Sequence, residues 1–232
     1  MYISIETIKT SIKDPLYLAY KPLFADLKAA IAQYGKGDVF DIGCGNKPYL
    51  PLFQGIKSYK GCDVVQSSDN SVDILCTTDA IPVGDSSFDT VISTQVMEHV
   101  ADHRKMLSEA ARILKKDGYI ILSVPMAWQH HEMPYDFFRF TKYGLQSVFE
   151  NAGLAIEYIK PNGGKWALLG QMRQNIIMSS TRGKKGIFRA ILRIFHRYCL
   201  KYAINIWYSL LEKWDYDDDF ITLNFVVVAK KK

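Results

Sequence analysis

The chain has 232 residues, 48% of them hydrophobic, and a formal net charge of +5. That is enough apolar material for a well-buried domain, and it excludes a disordered or fibrous chain. No uncharged apolar run approaches the roughly 18 residues of a membrane span, and the polar start, Met1 to Ser11, lacks the basic flank and apolar core of a secretory signal, so a cytoplasmic address is expected.

In chain order, a helix is predicted to begin after Asp14-Pro15 and to precede the first strand, either closing over a site or covering an edge of the core. Candidate strands follow at Val39–Ile42, Tyr59–Val64, Val72–Leu75, Thr90–Ser93, Tyr119–Val124, Leu154–Ile159 and Ile221–Ala229. Between them, Ala101–Lys115 has helical spacing at Met106, Leu107, Ala110, Ile113 and Leu114 and a stop at Asp117-Gly118. Thr141 suits the N-cap of a further helix ending near Asn151-Ala152-Gly153. A long helix is predicted from Gly186 to Lys213, with Phe188, Ile191, Leu192, Phe195 and Trp207 in an apolar stripe and Arg189, Arg193, Arg197 and Lys201 every fourth residue. Strand-helix alternation makes this an α/β chain with a mostly parallel sheet covered on both faces, and ligands then sit beyond the carboxyl ends of the strands.

The four cysteines, at 44, 62, 76 and 199, have no C-x-x-C spacing and read as small buried residues. Charge is uneven: Lys165–Lys213 holds ten Lys/Arg against one acid, Glu212, giving +9 there and −4 elsewhere. A local basic segment does not make a nucleic-acid surface, and no nucleic acid is expected as a partner.

The first strand runs into Asp41-Ile42-Gly43-Cys44-Gly45-Asn46-Lys47-Pro48. Glycines 43 and 45 let backbone approach a ligand, and Asp63, at the end of the next strand, suits ribose hydroxyls. A dinucleotide fingerprint would need glycine where Pro48 stands, so a nucleoside without phosphates fits better and a nicotinamide dehydrogenase is disfavoured. Asp89 is expected to serve structure, as a turn bond beside its strand.

Four segments in order carry a resemblance: Asp41–Gly45, Asp63, Thr78–Pro82 with Asp85–Asp89, and Ser93-Thr94-Gln95-Val96-Met97-Glu98-His99-Val100. Together they resemble the class I S-adenosylmethionine-dependent methyltransferases, in the small-molecule, methyltransferase type 11-like branch, over about Val39 to Gly153. The resemblance implies a three-layer Rossmann-like fold of seven strands, the last antiparallel between the fifth and sixth. It implies one methyltransferase domain over 1–232, with an N-terminal helical cap at 1–35 and a helical insertion at 165–215. S-adenosyl-L-methionine would be the cofactor, with Asp41, Gly43, Cys44 and Gly45 around its amino-acid end. Asp63 and Val64 would hold its ribose, Asp79 and Ala80 its adenine, and Thr94 and Gln95 would line the methyl-transfer face. Lys47 departs from the family pattern, where another glycine is common.

Methyl transfer to a hydroxyl needs a base. His131 is the first choice, with Asp136 orienting it; His99 is a second catalytic candidate, and His130, Tyr135 and Arg139 would face the acceptor. Alternatively, Asp136 and Arg139 form a structural ion pair. Adjacent side chains at His130, His131 and Glu132 diverge on an extended loop, and neither thiolates nor H-E-x-x-H spacing is present, so no metal is expected. The His, Pro, Asp, Arg, Thr pattern over 130–141 is similar to a methyltransferase subgroup often associated with bacterial surface-glycan pathways. The expected function is methylation of a small molecule or glycan, at oxygen. The alternatives are a catalytically silent cofactor-binding scaffold and a membrane-surface lipid or quinone methyltransferase. The basic helix 186–213 would touch the inner membrane face, pair two copies in a homodimer, or cover its own domain.

Overall fold

The computed structural model describes residues 11–181 and 186–232. The first ten residues of the expected cap, and Arg182–Lys185 of the expected insertion, lie outside the described residues. The elements are α1 (Tyr17–Tyr34), β1 (Asp38–Ile42), β2 (Ser58–Asp63), β3 (Ile74–Leu75), β4 (Phe88–Thr94), α2 (His103–Ile113), β5 (Leu114–Pro125), α3 (Lys142–Asn151), β6 (Leu154–Asn162), α4 (Lys165–Thr181), α5 (Ile187–Phe195), α6 (Lys201–Trp214) and β7 (Asn224–Lys231). They group into two compact units: Asp26–Lys160 with Phe225–Lys232, and the described residues of 11–25 with 161–224.

The first unit is built on a seven-stranded sheet in the order β3-β2-β1-β4-β5-β7-β6. The pairs β1–β2, β1–β4, β2–β3 and β4–β5 are parallel, and the last strands are antiparallel, as the resemblance implies. The strand order reverses between β1 and β4, which opens a crevice at their carboxyl ends. Val39, Phe40 and Ile42 are fully buried, because β1 is covered on both faces and cannot alternate polar with apolar. Met106, Leu107, Ala110 and Ile113, one stripe of α2, are buried in the same core, with Leu145 and Phe149 of α3. Thr141 accepts a bond from Gly144 N at 3.1 Å, the expected cap.

The helix expected to reach Lys115 ends at Ile113, where Leu114 turns extended and opens β5. The stop signal serves a bend inside that strand instead: Asp117 has φ +64, and a Cβ on Gly118 would lie 2.9 Å from Lys115 O. Asp89 accepts from Asp38 N at 2.8 Å and pairs with Lys115 at 2.8 Å, so it ties β4 to β1 and β5.

The second unit is helical. The long helix expected over 186–213 is interrupted by a π turn, His196–Leu200. Helix α4 has no counterpart among the elements expected from sequence. Its first turn is capped from a distance by Glu212, whose carboxylate accepts from Gly164 N (2.6 Å), Trp166 N (3.1 Å) and Ala167 N (2.9 Å). The lone acid of the basic segment thus neutralises a helix N-terminus. Gln174 bonds Asn205 Oδ1 and Lys201 O, each at 3.0 Å, and His196 Nε2 at 2.6 Å, so the buried polar groups beside the π turn are satisfied. Among the described residues, no helix is long and apolar enough to cross a membrane.

Candidate functional site

The glycine loop follows β1. Gly43 has φ +74 and Gly45 φ +47, and a Cβ on Gly43 would collide with the Val96 side chain, which follows β4. Only glycine permits that approach of the two loops at the topological switch. Gly43 N and Cys44 N both donate to Cys62 O, at 2.9 and 3.0 Å. Gly45 N donates to Asp63 Oδ2 at 3.1 Å, while Asp63 Oδ1 accepts from Val64 N at 2.7 Å. Lys47 takes φ +53, the left-handed conformation that a glycine would supply at no cost, and reaches Asp73 at 2.6 Å. Lys47 thus holds, without being glycine, a conformation that glycine adopts freely.

Asp41 is buried, and its carboxylate accepts from the Tyr59 hydroxyl at 2.6 Å. Asp41 pairs with Gly61, so Tyr59 lies two residues back on the same sheet face, within diagonal reach. Burial pushes the Asp41 carboxyl up to about 7, against the Tyr59 bond. Such a group gains from a cation brought beside it. In the same loop Asn46 Oδ1 is buried with no partner. A glycine cradle with no room for a Cβ, a poised buried acid and an orphaned amide oxygen fit a nucleoside ligand carrying a cationic amino-acid end.

The other sequence candidates fall at the same edge of the sheet. Thr94 ends β4, and Gln95 follows at φ +55 with its N donating to Ser123 O at 2.8 Å. Asp79 and Ala80 stand exposed in the turn after β3, and Val64 is exposed just past β2.

Past Val96 a 3₁₀ turn, Met97–His99, buries Glu98 completely, and neither carboxylate oxygen has a partner. Burial pushes Glu98 up to about 8. His99 Nε2 lies 3.8 Å from Glu98 Oε1 and 3.8 Å from Glu132 Oε2, and His99 Nδ1 bonds Tyr135 O at 2.8 Å. The rings of His99 and His131 meet edge to face at 4.6 Å. Burial holds the His131 imidazole below its ordinary range, with the nearby His99 adding to the effect.

Asp136, 3% exposed, is clasped by Arg139 through Nη1 (2.7 Å) and Nη2 (3.0 Å), which holds it well below the usual carboxylate range. It also accepts from His131 N at 3.2 Å and contacts His130 Nδ1 at 3.2 Å, nearer than His131 Nδ1 at 3.5 Å. Arg139 further donates to Trp128 O and Gln129 O, so Asp136 and Arg139 knit loop 128–139. His130, Asp136 and Arg139 line a cleft of ≈ 330 Å³, and the Tyr135 ring is exposed. Glu98 was visible in sequence only as part of a titratable pair; its burial depends on Phe137 N and Phe138 N closing on its own carbonyl, contacts 39 and 40 residues away that no local pattern announces.

Residues 40–122 match the model of the family described as methyltransferase domain. No curated protein sequence matches the chain. Among solved structures, the [4+2]-cyclase SpnF is similar at TM-score 0.59 and 16% identity, over 90% of this chain and 79% of that one. The Burkholderia thailandensis 1,6-didemethyltoxoflavin-N1-methyltransferase, with bound 1,6-didemethyltoxoflavin and S-adenosylhomocysteine, is similar at TM-score 0.57 and 14% identity, over 89% and 77%. Phosphoethanolamine N-methyltransferase 2 of Haemonchus contortus, in complex with S-adenosyl-L-methionine, is similar at TM-score 0.51 and 16% identity, over 90% and 52%. Residues 40–122 thus carry a methyltransferase domain, in a chain that shares the Rossmann-like fold of these structures.

Proposed function

We propose that this chain methylates a hydroxyl oxygen of a small-molecule or glycan acceptor, working as one methyltransferase domain whose residues 1–35 and 165–215 are helical additions. The observation that carries this reading is the cradle at the β1/β4 switch, followed directly along the chain by the turn holding Glu98 and His99. Asp41, Gly43, Cys44 and Gly45 would meet the amino-acid end of the cofactor, Asp63 and Val64 the ribose, Asp79 and Ala80 the adenine, and Thr94 and Gln95 the reacting side. When bound, S-adenosylmethionine supplies an electrophilic methyl group on a sulfonium.

The protein aligns the acceptor, excludes water and takes its proton. His131 is the base, since a ring kept neutral by burial offers a lone pair near pH 7. His99 stands beside it, and Arg139 holds Asp136 so that the loop presents His130, His131 and Tyr135. The titratable cluster, with its capacity to accept a proton, favours oxygen over an acceptor that needs no base. Incubation with labelled cofactor and a panel of hydroxyl acceptors, nucleotide sugars and quinols included, tests this. His131→Ala should lower turnover about 100-fold or more while cofactor binding persists; unchanged turnover would remove the base assignment.

A specific observation also favours contact with an anionic bilayer through 186–213, in a protein that otherwise stays in the cytoplasm. No residue of α5 is buried: Ile187 is 83% exposed, and Phe188, Ile191, Ile194 and Phe195 are exposed with it, beside Arg189 and Arg193. Guanidinium groups next to a bare apolar face complement anionic headgroups over acyl chains. Vesicles containing phosphatidylserine should sediment the protein, and Arg189/Arg193/Arg197→Gln should release it. A dimer with no vesicle binding would assign the face to a second copy.

A further inference from the structure

We infer that Glu98, His99 and His131 form a binding site for one divalent first-row transition-metal ion of the zinc type. One ligating atom from each of the three lies within 4.8 Å of the other two. His130, His131 and Glu132, adjacent in the chain and expected from sequence to diverge, do not together form the set. The fold assembles a different set, drawing Glu98 and His99 from the turn after β4 and only His131 from the later loop.

Hydrogen bonding makes this set unusual. Tyr135 O can only accept, so in the neutral ring His99 Nδ1 carries the proton and Nε2 is left with its lone pair. That lone pair faces Glu98 Oε1 and Glu132 Oε2, each at 3.8 Å, and both Glu98 oxygens are buried without a hydrogen-bond partner. The buried Glu98 carboxylate thus lies beside an imidazole nitrogen with neither oxygen hydrogen-bonded, an arrangement in which a shared cation would favour the ionised carboxylate. A backbone carbonyl fixing the far nitrogen of an imidazole is also how ligating histidines are oriented.

The distances suit the ion. Zinc held at about 2.0–2.2 Å by nitrogen and oxygen sets its ligands about 3.4 Å apart; Glu98 and His99 stand at 3.8 Å, and the whole set, His131 included, must close from within 4.8 Å. Two imidazoles and a carboxylate select zinc, iron, cobalt or manganese over magnesium or calcium. Arg139 beside His131 is already clasped by Asp136, which limits its repulsion of a cation. Solvent reaches the cluster on the side of His99, His131 and Glu132, whose side chains are all partly exposed. A seated ion would leave a position open to an acceptor oxygen.

Metal uptake decides the inference, and its failure would leave the methyl-transfer reading standing; its success would commit a His131 nitrogen to the ion and so compete with the role of that ring as base. Protein stripped with chelator, loaded with Zn²⁺ and dialysed should hold one ion per chain and melt at a higher temperature than the stripped form. Glu98→Gln and His131→Gln should each weaken Zn²⁺ binding by about tenfold or more. His130→Ala, outside the cluster, should still bind Zn²⁺. Circular dichroism separates lost binding from lost folding, and His131→Gln, at a partly exposed position, provides a second variant should Glu98→Gln fail to fold. Absence of stoichiometric uptake, or equal uptake by wild type and folded variants, would overturn the site.

Discussion

The two ends of the site are built by different means. At the proposed cofactor end, residues 41–63, backbone does most of the shaping: positive φ at Gly43, Gly45 and Lys47, paired amides on Cys62 O, and Asp63 bonded to Gly45 N. At the proposed acceptor end, residues 98–139, shape comes from side chains far apart in sequence: a buried glutamate, two histidines edge to face and an arginine clasp. The first kind of construction fails sterically and the second electrostatically.

The largest effect should come from breaking the backbone cradle. Gly43→Val places a Cβ into Val96 at a φ that valine rarely adopts. S-adenosylhomocysteine affinity should fall by about 100-fold or more, measured calorimetrically, with the melting temperature as the control for folding. Next, Arg139→Met leaves Asp136 a buried carboxylate without its cation and should cost about 3 kcal/mol in denaturant unfolding, with Asp136→Asn/Arg139→Met milder than the single change. Because Arg139 lowers the Asp136 pKa, the stabilisation is complete above about pH 4 and drains away as pH falls through the folded value. Arg139→Met should therefore shed much of the acid sensitivity that this pair contributes.

The smallest effect sharpens the comparison. Burial raises Asp41 to about 7, so in the cofactor-free protein this group makes stability decline as pH rises from its unfolded value, about 4, towards 7. A cationic ligand reverses the preference by stabilising the ionised form. Affinity for S-adenosylmethionine should then rise about tenfold between pH 6 and pH 8, following the ionised fraction of Asp41. Asp41→Asn should flatten that rise.

The same contrast explains what the sequence made legible. A buried strand, a glycine turn and an acid one crossover later are local patterns fixed by sterics, and the fold placed Asp41, Gly43, Cys44, Gly45 and Asp63 together at the predicted edge. Tyr59 was missed as the partner of Asp41, since that bond follows from strand register, and register is not written in either strand alone. The acceptor side was legible as a list of titratable residues and not as an arrangement. The sequence offered Asp136 both as orienter of His131 and as ion-pair partner of Arg139; its carboxylate bonds Arg139 at 2.7 and 3.0 Å and also accepts from His131 N at 3.2 Å. The sequence pattern runs unbroken through the basic helix, because the bond between Gln174 and His196 at the π turn is a tertiary contact. Helix α4 lacks a clear amphipathic pattern, and its cap, Glu212, lies 46 residues from Trp166.

The central claim is that the loop after β1 and the acid after β2 hold S-adenosylmethionine. Isothermal titration of the intact chain with S-adenosylmethionine and S-adenosylhomocysteine, alongside Asp63→Ala, tests it most directly. One site per chain for each ligand, with binding lost in a folded Asp63→Ala, is the predicted result. Heat-silent titrations confirmed by a second binding assay, or equal affinity in Asp63→Ala, would contradict it.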